Sequence, residues 1–122
     1  MITRKNDLHT ESPANVKGGA GSPTMTYFMS DETSQGIGRL FAEVELPPGA
    51  SIGYHQHLGE QEVYYVISGA ATVEDNDKQK HELGAGDSMI CFDGESHSIA
   101  NNTDEPVKII ALVTYTGLSK SN

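Results

Sequence analysis

Tryptophan is absent from this 122-residue chain, and cysteine occurs once, at Cys91. One cysteine excludes an intrachain disulfide, and a cytoplasmic location is the expectation that follows. Long apolar runs are also missing. No stretch approaches the roughly 18 residues a membrane-spanning helix needs, and the polar Met1–Asp7 lacks the apolar segment of a signal peptide. Basic residues are few: 8 Lys and Arg stand against 17 Asp and Glu, for a formal net charge of −9. The cations (Arg4, Lys5, Lys17, Arg39, Lys78, Lys80, Lys108 and Lys120) are scattered and form no positive footprint. Nucleic acid and anionic membranes are therefore excluded as expected partners.

What is present is glycine, with 13 residues, and a moderate hydrophobic content of 36%. The length suits one domain with one core, and frequent turns point to short strands. Residues 1–24 are polar and interrupted by Pro13, Gly18, Gly19, Gly21 and Pro23, which reads as an N-terminal arm ordered only by packing on the barrel or on a second subunit. Gly18-Gly19-Ala20-Gly21 lacks the flanking strand and Lys-Ser/Thr of a phosphate loop and reads as flexible backbone. Residues 25–122 then carry the strand signals. Arg39–Leu46 places Leu40, Ala42, Val44 and Leu46 on one face and Glu43 and Glu45 on the other. Further strands are predicted over 25–29, around His55, and over 62–68, 70–74, 78–83, 88–92, 97–100 and 107–115. Ser30–Gly36 is predicted to be a loop. About nine short strands without an amphipathic helix make an all-β sandwich or barrel.

The chemistry-bearing residues fall at ordered spacings. His55 and His57 are two apart and share one side of an extended strand, and Glu62 follows after a short loop. Two imidazoles and a carboxylate form a partial metal site, which His97, after a glycine turn, can close from a neighbouring strand. Residues 49–69 resemble the first cupin motif, G-x5-H-x-H-x4-E-x6-G, through Gly49, His55, His57, Glu62 and Gly69. Residues 86–101 resemble the second, G-x5-P-x-G-x2-H-x3-N, through Gly86, Gly94, His97 and Asn101. Phe92 stands where that motif has proline, which puts the local turn geometry in question but not the metal.

The resemblance implies a cupin jelly-roll β-barrel in which His55, His57, Glu62 and His97 hold one divalent transition metal. Three neutral imidazoles and a carboxylate suit Mn, Fe, Co, Ni, Cu or Zn and disfavour Mg or Ca. It also implies a small-molecule ligand and a homodimer, with the arm packed on a partner's sheet edge. Cupins span many chemistries, so the reaction is not named by the fold. The leading expectation is a metal-dependent enzyme of the dioxygenase type, with Glu62 available for proton transfer. A sugar isomerase or epimerase comes second, and a non-enzymatic binding or sensor protein is the alternative class. Glu60 reads as a solvated loop acid or a residue at the site's mouth, and Tyr64 shares the inward parity of Glu62. Cys91 reads as a buried apolar residue, and His9 and His81 as ordinary polar histidines. Since residues 40–77 contain no Lys or Arg, the expected substrate is compact and neutral or weakly acidic, not a sugar phosphate. Only Arg39 or Lys108, carried to the barrel mouth by folding, would change that.

Overall fold

The alternation that runs from Leu40 to Leu46 becomes a nine-residue strand in the computed structural model, which describes residues 1–117. Ten strands form among the described residues. They are β1 (Thr10–Glu11), β2 (Thr24–Tyr27), β3 (Gly38–Leu46), β4 (Ser51–Gln56), β5 (Glu60–Ser68), β6 (Ala71–Glu74), β7 (Lys80–Leu83), β8 (Ser88–Cys91), β9 (Ser96–Ala100) and β10 (Val107–Tyr115). A six-stranded sheet has the order β1-β2-β3-β10-β5-β8, and a four-stranded sheet the order β4-β9-β6-β7. Every pairing is antiparallel. The two sheets face each other across the core of a jelly-roll barrel.

Pleating decides which residues meet inside. Across β3, β10 and β5, the inward rows are Leu40–Val113–Glu62, Ala42–Ala111–Tyr64 and Val44–Ile109–Val66. Most of these side chains are buried, and Ile52, Val73 and Ile99 meet them from the four-stranded sheet. The inward rows of this sheet are thus rich in β-branched residues that fit a pleated surface, and Glu62 is the one charged residue among them. The opposite rows of the same sheet face outward, so Tyr65 opposes Ile110 and Val63 opposes both Leu112 and Ile90.

The turns carry their own chemistry. Gly69 has φ +85°, and a Cβ there would come within 2.7 Å of the Pro106 carbonyl oxygen, so this motif position requires glycine twice over. Asn101 is fully buried and structural. Its Nδ2 donates to the carbonyls of Leu46 at 2.8 Å and Glu105 at 2.7 Å, while its Oδ1 accepts from Thr103 N at 2.9 Å and Oγ1 at 2.7 Å. Phe92 keeps the turn that proline would shape by a different device: its N–H donates to Glu95 Oε1 at 3.0 Å, and Glu95 N–H returns to the Phe92 carbonyl at 2.9 Å.

Two local expectations are corrected. The loop over Ser30–Gly36 contains one helical turn, α1 (Asp31–Ser34), because Ser30 and Thr33 cap each other through side chain and backbone. The strand predicted from Lys78 starts at Lys80, because the turn extends further: Lys78 has φ +63° and its N–H donates to the Asp75 carbonyl at 2.8 Å. Within the first 24 residues, Thr10 and Glu11 pair with Thr26 and Met25 of the same chain. The glycine segment is also tied down, since Ser51 N–H donates to the Ala20 carbonyl at 2.9 Å and Ala20 N–H to Ser51 Oγ at 2.8 Å.

Candidate metal centre

Four elements converge on one point inside the barrel. His55 lies near the end of β4, beyond an irregularity that starts at Ile52, and pairs directly across from His97 on β9. His57 follows just past β4, its backbone pinned by N–H to the Glu95 carbonyl at 2.9 Å and by Gly94 N–H to its own carbonyl at 2.7 Å. Glu62 projects inward from β5 opposite Cys91. All four candidate residues read from the sequence are brought together, with one ligand atom from each lying within 4.8 Å of the others. His57, Glu62 and His97 are buried and His55 half-buried.

The geometry is centred on one carboxylate oxygen. Glu62 Oε1 lies 2.9 Å from His97 Nε2, 3.1 Å from His57 Nε2 and 3.9 Å from His55 Nε2. The Nε2 atoms of His57 and His97 are 3.1 Å apart. Burial alone would raise the Glu62 carboxyl, yet the surrounding imidazoles outweigh it and hold the group well below the usual carboxylate range. For His57, burial opposes the charged form, but Glu62 and Glu60 prevail and its pKa rises. For His97, burial dominates over Glu62 and its pKa falls.

Hydrogen bonds behind the rings fix which nitrogens face the centre. His55 Nδ1 lies 2.6 Å from the Gly53 carbonyl, which can only accept, so Nδ1 carries the hydrogen and Nε2 presents its lone pair. His57 Nδ1 likewise donates to Glu60 Oε2 at 2.5 Å. Glu60 is kept ionised chiefly by Arg39, whose Nε and Nη2 donate to its two oxygens at 2.8 and 2.7 Å. His97 Nδ1 is buried with no hydrogen-bond partner among the described residues. Its ring is held instead by Tyr64, stacked nearly parallel with centroids 4.7 Å apart. Two neutral imidazole lone pairs and a carboxylate aimed at one point repel unless a proton or a cation lies between them. The donor set fits a divalent transition metal.

A cavity of about 210 Å³ opens from this cluster. His55, Glu62 and Tyr64 line it with Val16, Lys17, Met25, Tyr27, Arg39, Leu40 and Ile52. Arg39 is therefore at the mouth, whereas Lys108 is not, its Nζ lying 3.9 Å from Glu43 on the sheet's outer face. Residues 40–77 bring no cation to the cavity, but folding carries Arg39 there, one of the two residues named as able to do so, together with Lys17. Glu60, read as a mouth residue, also touches His57. Lys17 and Tyr27 were not legible as site residues, because only folding brings residues 16 and 17 against β4. Cys91 is buried, and its thiol is pushed up to about 12, first by burial and then by neighbouring carboxylates. His9 pairs with Glu11 at an exposed position, and His81 is exposed on β7.

Comparison with known proteins agrees with this geometry. The cupin domain family matches residues 42–113. An oxalate-binding protein from Thermotoga maritima is 37% identical over 113 residues, which is 93% of this chain and 93% of that protein. The crystal structure of a predicted oxalate decarboxylase from Thermotoga maritima superposes with a TM-score of 0.88 at 35% identity, covering 95% of this chain and all of that one. A sugar phosphate isomerase of the cupin superfamily from Silicibacter pomeroyi shares the fold, with a TM-score of 0.74 at 20% identity over 95% of this chain and 76% of that one. Motif spacing, barrel topology and these likenesses agree, and the chain belongs to the cupin domain family.

Proposed function

We propose that the protein binds one divalent transition metal through His55, His57, Glu62 and His97, and at it a small carboxylate of the oxalate class. The observation that carries this reading is the convergence of two fixed imidazole lone pairs on the Glu62 carboxylate at the floor of a cavity that opens to the surface. Similarity to an oxalate-binding protein supports the ligand class. The ion, Mn, Fe, Co, Ni, Cu or Zn, would supply Lewis acidity and open coordination positions for oxygen donors.

The chain's own residues supply the rest. Glu60 orients His57, Tyr64 fixes the plane of His97, and Met25, Leu40 and Ile52 exclude water from the cavity. Among the described residues Glu62 is the only carboxylate lining the cavity. As a metal ligand it would serve the proton-transfer role expected from the sequence only by detaching from the ion. Elemental analysis of native protein, followed by calorimetric titration with oxalate, tests the reading. About one metal ion per chain and saturable oxalate binding are expected. Protein that holds no metal, or holds metal and ignores oxalate, sinks it. Oxygen uptake or formate release in the same samples would instead establish a dioxygenase or decarboxylase, and conversion of a sugar an isomerase.

We also propose a cytoplasmic homodimer. Tyr65, Ile67, Ile90 and Phe92 are exposed on the outer face around β5 and β8, an apolar patch that a second copy would cover. Light scattering should give twice the 13.1 kDa chain mass. A monomer at micromolar concentration contradicts the dimer. None of the described helices is long and apolar enough to cross a membrane.

A further inference from the structure

We infer that Lys17 and Arg39 form a recognition site at the cavity mouth for the second carboxylate of a small dicarboxylate. This rests on the reading of the histidine–glutamate cluster given above, and it adds which residues select the ligand. Two of the chain's eight cations line a cavity whose other walls are largely apolar. In a protein of net charge −9 that placement calls for a reason. Both residues are exposed to solvent at the rim, so a carboxylate that enters the cavity meets their charges there.

The backbone at Lys17 is held in an unfavourable shape. It has φ 54° and ψ 32°, a left-handed conformation that costs a side-chain-bearing residue energy, and Asn15 shares it at φ 54°. Such strain persists only where the surroundings impose it, and it gathers at functional sites. Here the surroundings are dense. Gly18 N–H donates to the Asn15 carbonyl at 3.0 Å, Gly19 N–H to the Val16 carbonyl at 2.9 Å, and Asn15 Nδ2 to the Gly19 carbonyl at 3.0 Å. The turn then seats directly on β4. A Cβ on Gly53 would fall 2.1 Å from the Lys17 carbonyl oxygen, and one on Gly19 would fall 2.2 Å from that of Ser51. Lys17 is thus fixed against the strand that carries His55, although it comes from the N-terminal arm.

The charges at the two ends of the cavity are complementary to a dianion. A divalent ion held by three neutral imidazoles and Glu62 leaves one net positive charge at the floor. Arg39 and Glu60 cancel each other, and that pair uses two of the five guanidinium donors, leaving three to donate to a ligand oxygen. Lys17 makes no ion pair among the described residues, so its charge is the uncompensated one at the mouth. One positive charge at each end matches a molecule with one carboxylate at each end. A phosphate, which concentrates both charges on one head, matches it less well.

The test uses the full chain loaded with manganese, titrated with oxalate, acetate and inorganic phosphate. Lys17→Met is expected to weaken oxalate binding about tenfold or more, the loss typical of a charge-assisted contact. Acetate should change by less than about twofold, because it has no second carboxylate for Lys17 to meet. Metal content should stay at the wild-type value, and Lys17→Arg should restore oxalate binding. Arg39→Gln should weaken oxalate more than acetate as well. Oxalate affinity unchanged in Lys17→Met, equal weakening of oxalate and acetate, or phosphate binding as tightly as oxalate would each overturn the inference while leaving the metal site intact. Wild-type protein that holds manganese but binds neither acid would overturn the reading of the floor, and this inference with it.

Discussion

The floor and the mouth of the cavity are built in opposite ways. Every ligand of the floor comes from the span 49–101: His55, Glu62 and His97 from β4, β5 and β9, and His57 from the turn after β4, at spacings set by the pleat and by tight turns. At the mouth, Lys17, Tyr27 and Arg39 come from the arm, β2 and β3, drawn together only when the sheets close. The floor's ligands stand at fixed motif offsets, although His57 and His97 meet across 40 residues of chain. Selectivity is encoded in contacts between segments far apart in sequence, so the mouth can vary while the floor persists.

The largest effect that would break this division lies at the floor. The His55→Ala/His97→Ala double substitution should reduce bound metal from about one equivalent to none, measured by elemental analysis, with the fold retained by circular dichroism. Unchanged metal content would remove the cluster from the argument. Next comes Glu60→Gln, which touches both regions at once. Losing the carboxylate behind His57 should lower metal affinity by about 10- to 100-fold. At saturating metal, the freed Arg39 should bind oxalate at least as tightly as before. A uniform loss of both affinities would show that floor and mouth are not separable.

Acidification gives a smaller, graded effect. Ligand imidazoles must be neutral, so protons compete with the metal, and affinity should fall as pH drops through the imidazole range of about 6.5, beginning above it because His57 is raised. In the metal-free protein His57, raised by its carboxylate neighbours against the effect of burial, takes up its proton before His97, which burial lowers. Metal titrations between pH 5 and 8 that show a flat affinity would contradict imidazole ligation. The smallest effect is expected at Phe92→Pro, which removes one N–H donor to Glu95 and should cost about 1 kcal/mol in thermal unfolding. A larger loss would mean the turn depends on more than that bond.

Particular residues explain what was legible. The four clustered residues stood at offsets that a strand, a short loop and a glycine turn convert directly into geometry, so both the barrel and its centre could be read. The alternation in β3 and β10 gave the core faces. By contrast, β1 is two residues long, too short to carry a period, and pairs only because β2 runs beside it. The helical turn at Asp31–Ser34 was hidden because Thr33 stands where a capping box more often has Glu or Gln. Arg39 could be named as a residue that folding would deliver to the mouth, but no local pattern distinguished it from Lys108. The left-handed turn at Lys17 is enforced by Gly53, and nothing near residue 17 announces that neighbour.

Cys91 gives the molecule a built-in probe of its own breathing. The thiol is fully buried beneath the strand that carries Glu62, and its pKa, pushed up to about 12, leaves almost no thiolate at neutral pH. An added thiol reagent therefore reacts only in molecules where β8 has parted from β5. The labelling rate reads the free energy of that opening directly, residue by residue in this one place. Because β8 is the sheet's edge strand and β5 stays paired with β10, this opening leaves Glu62 beside the histidines, so metal in the centre should change the labelling rate little.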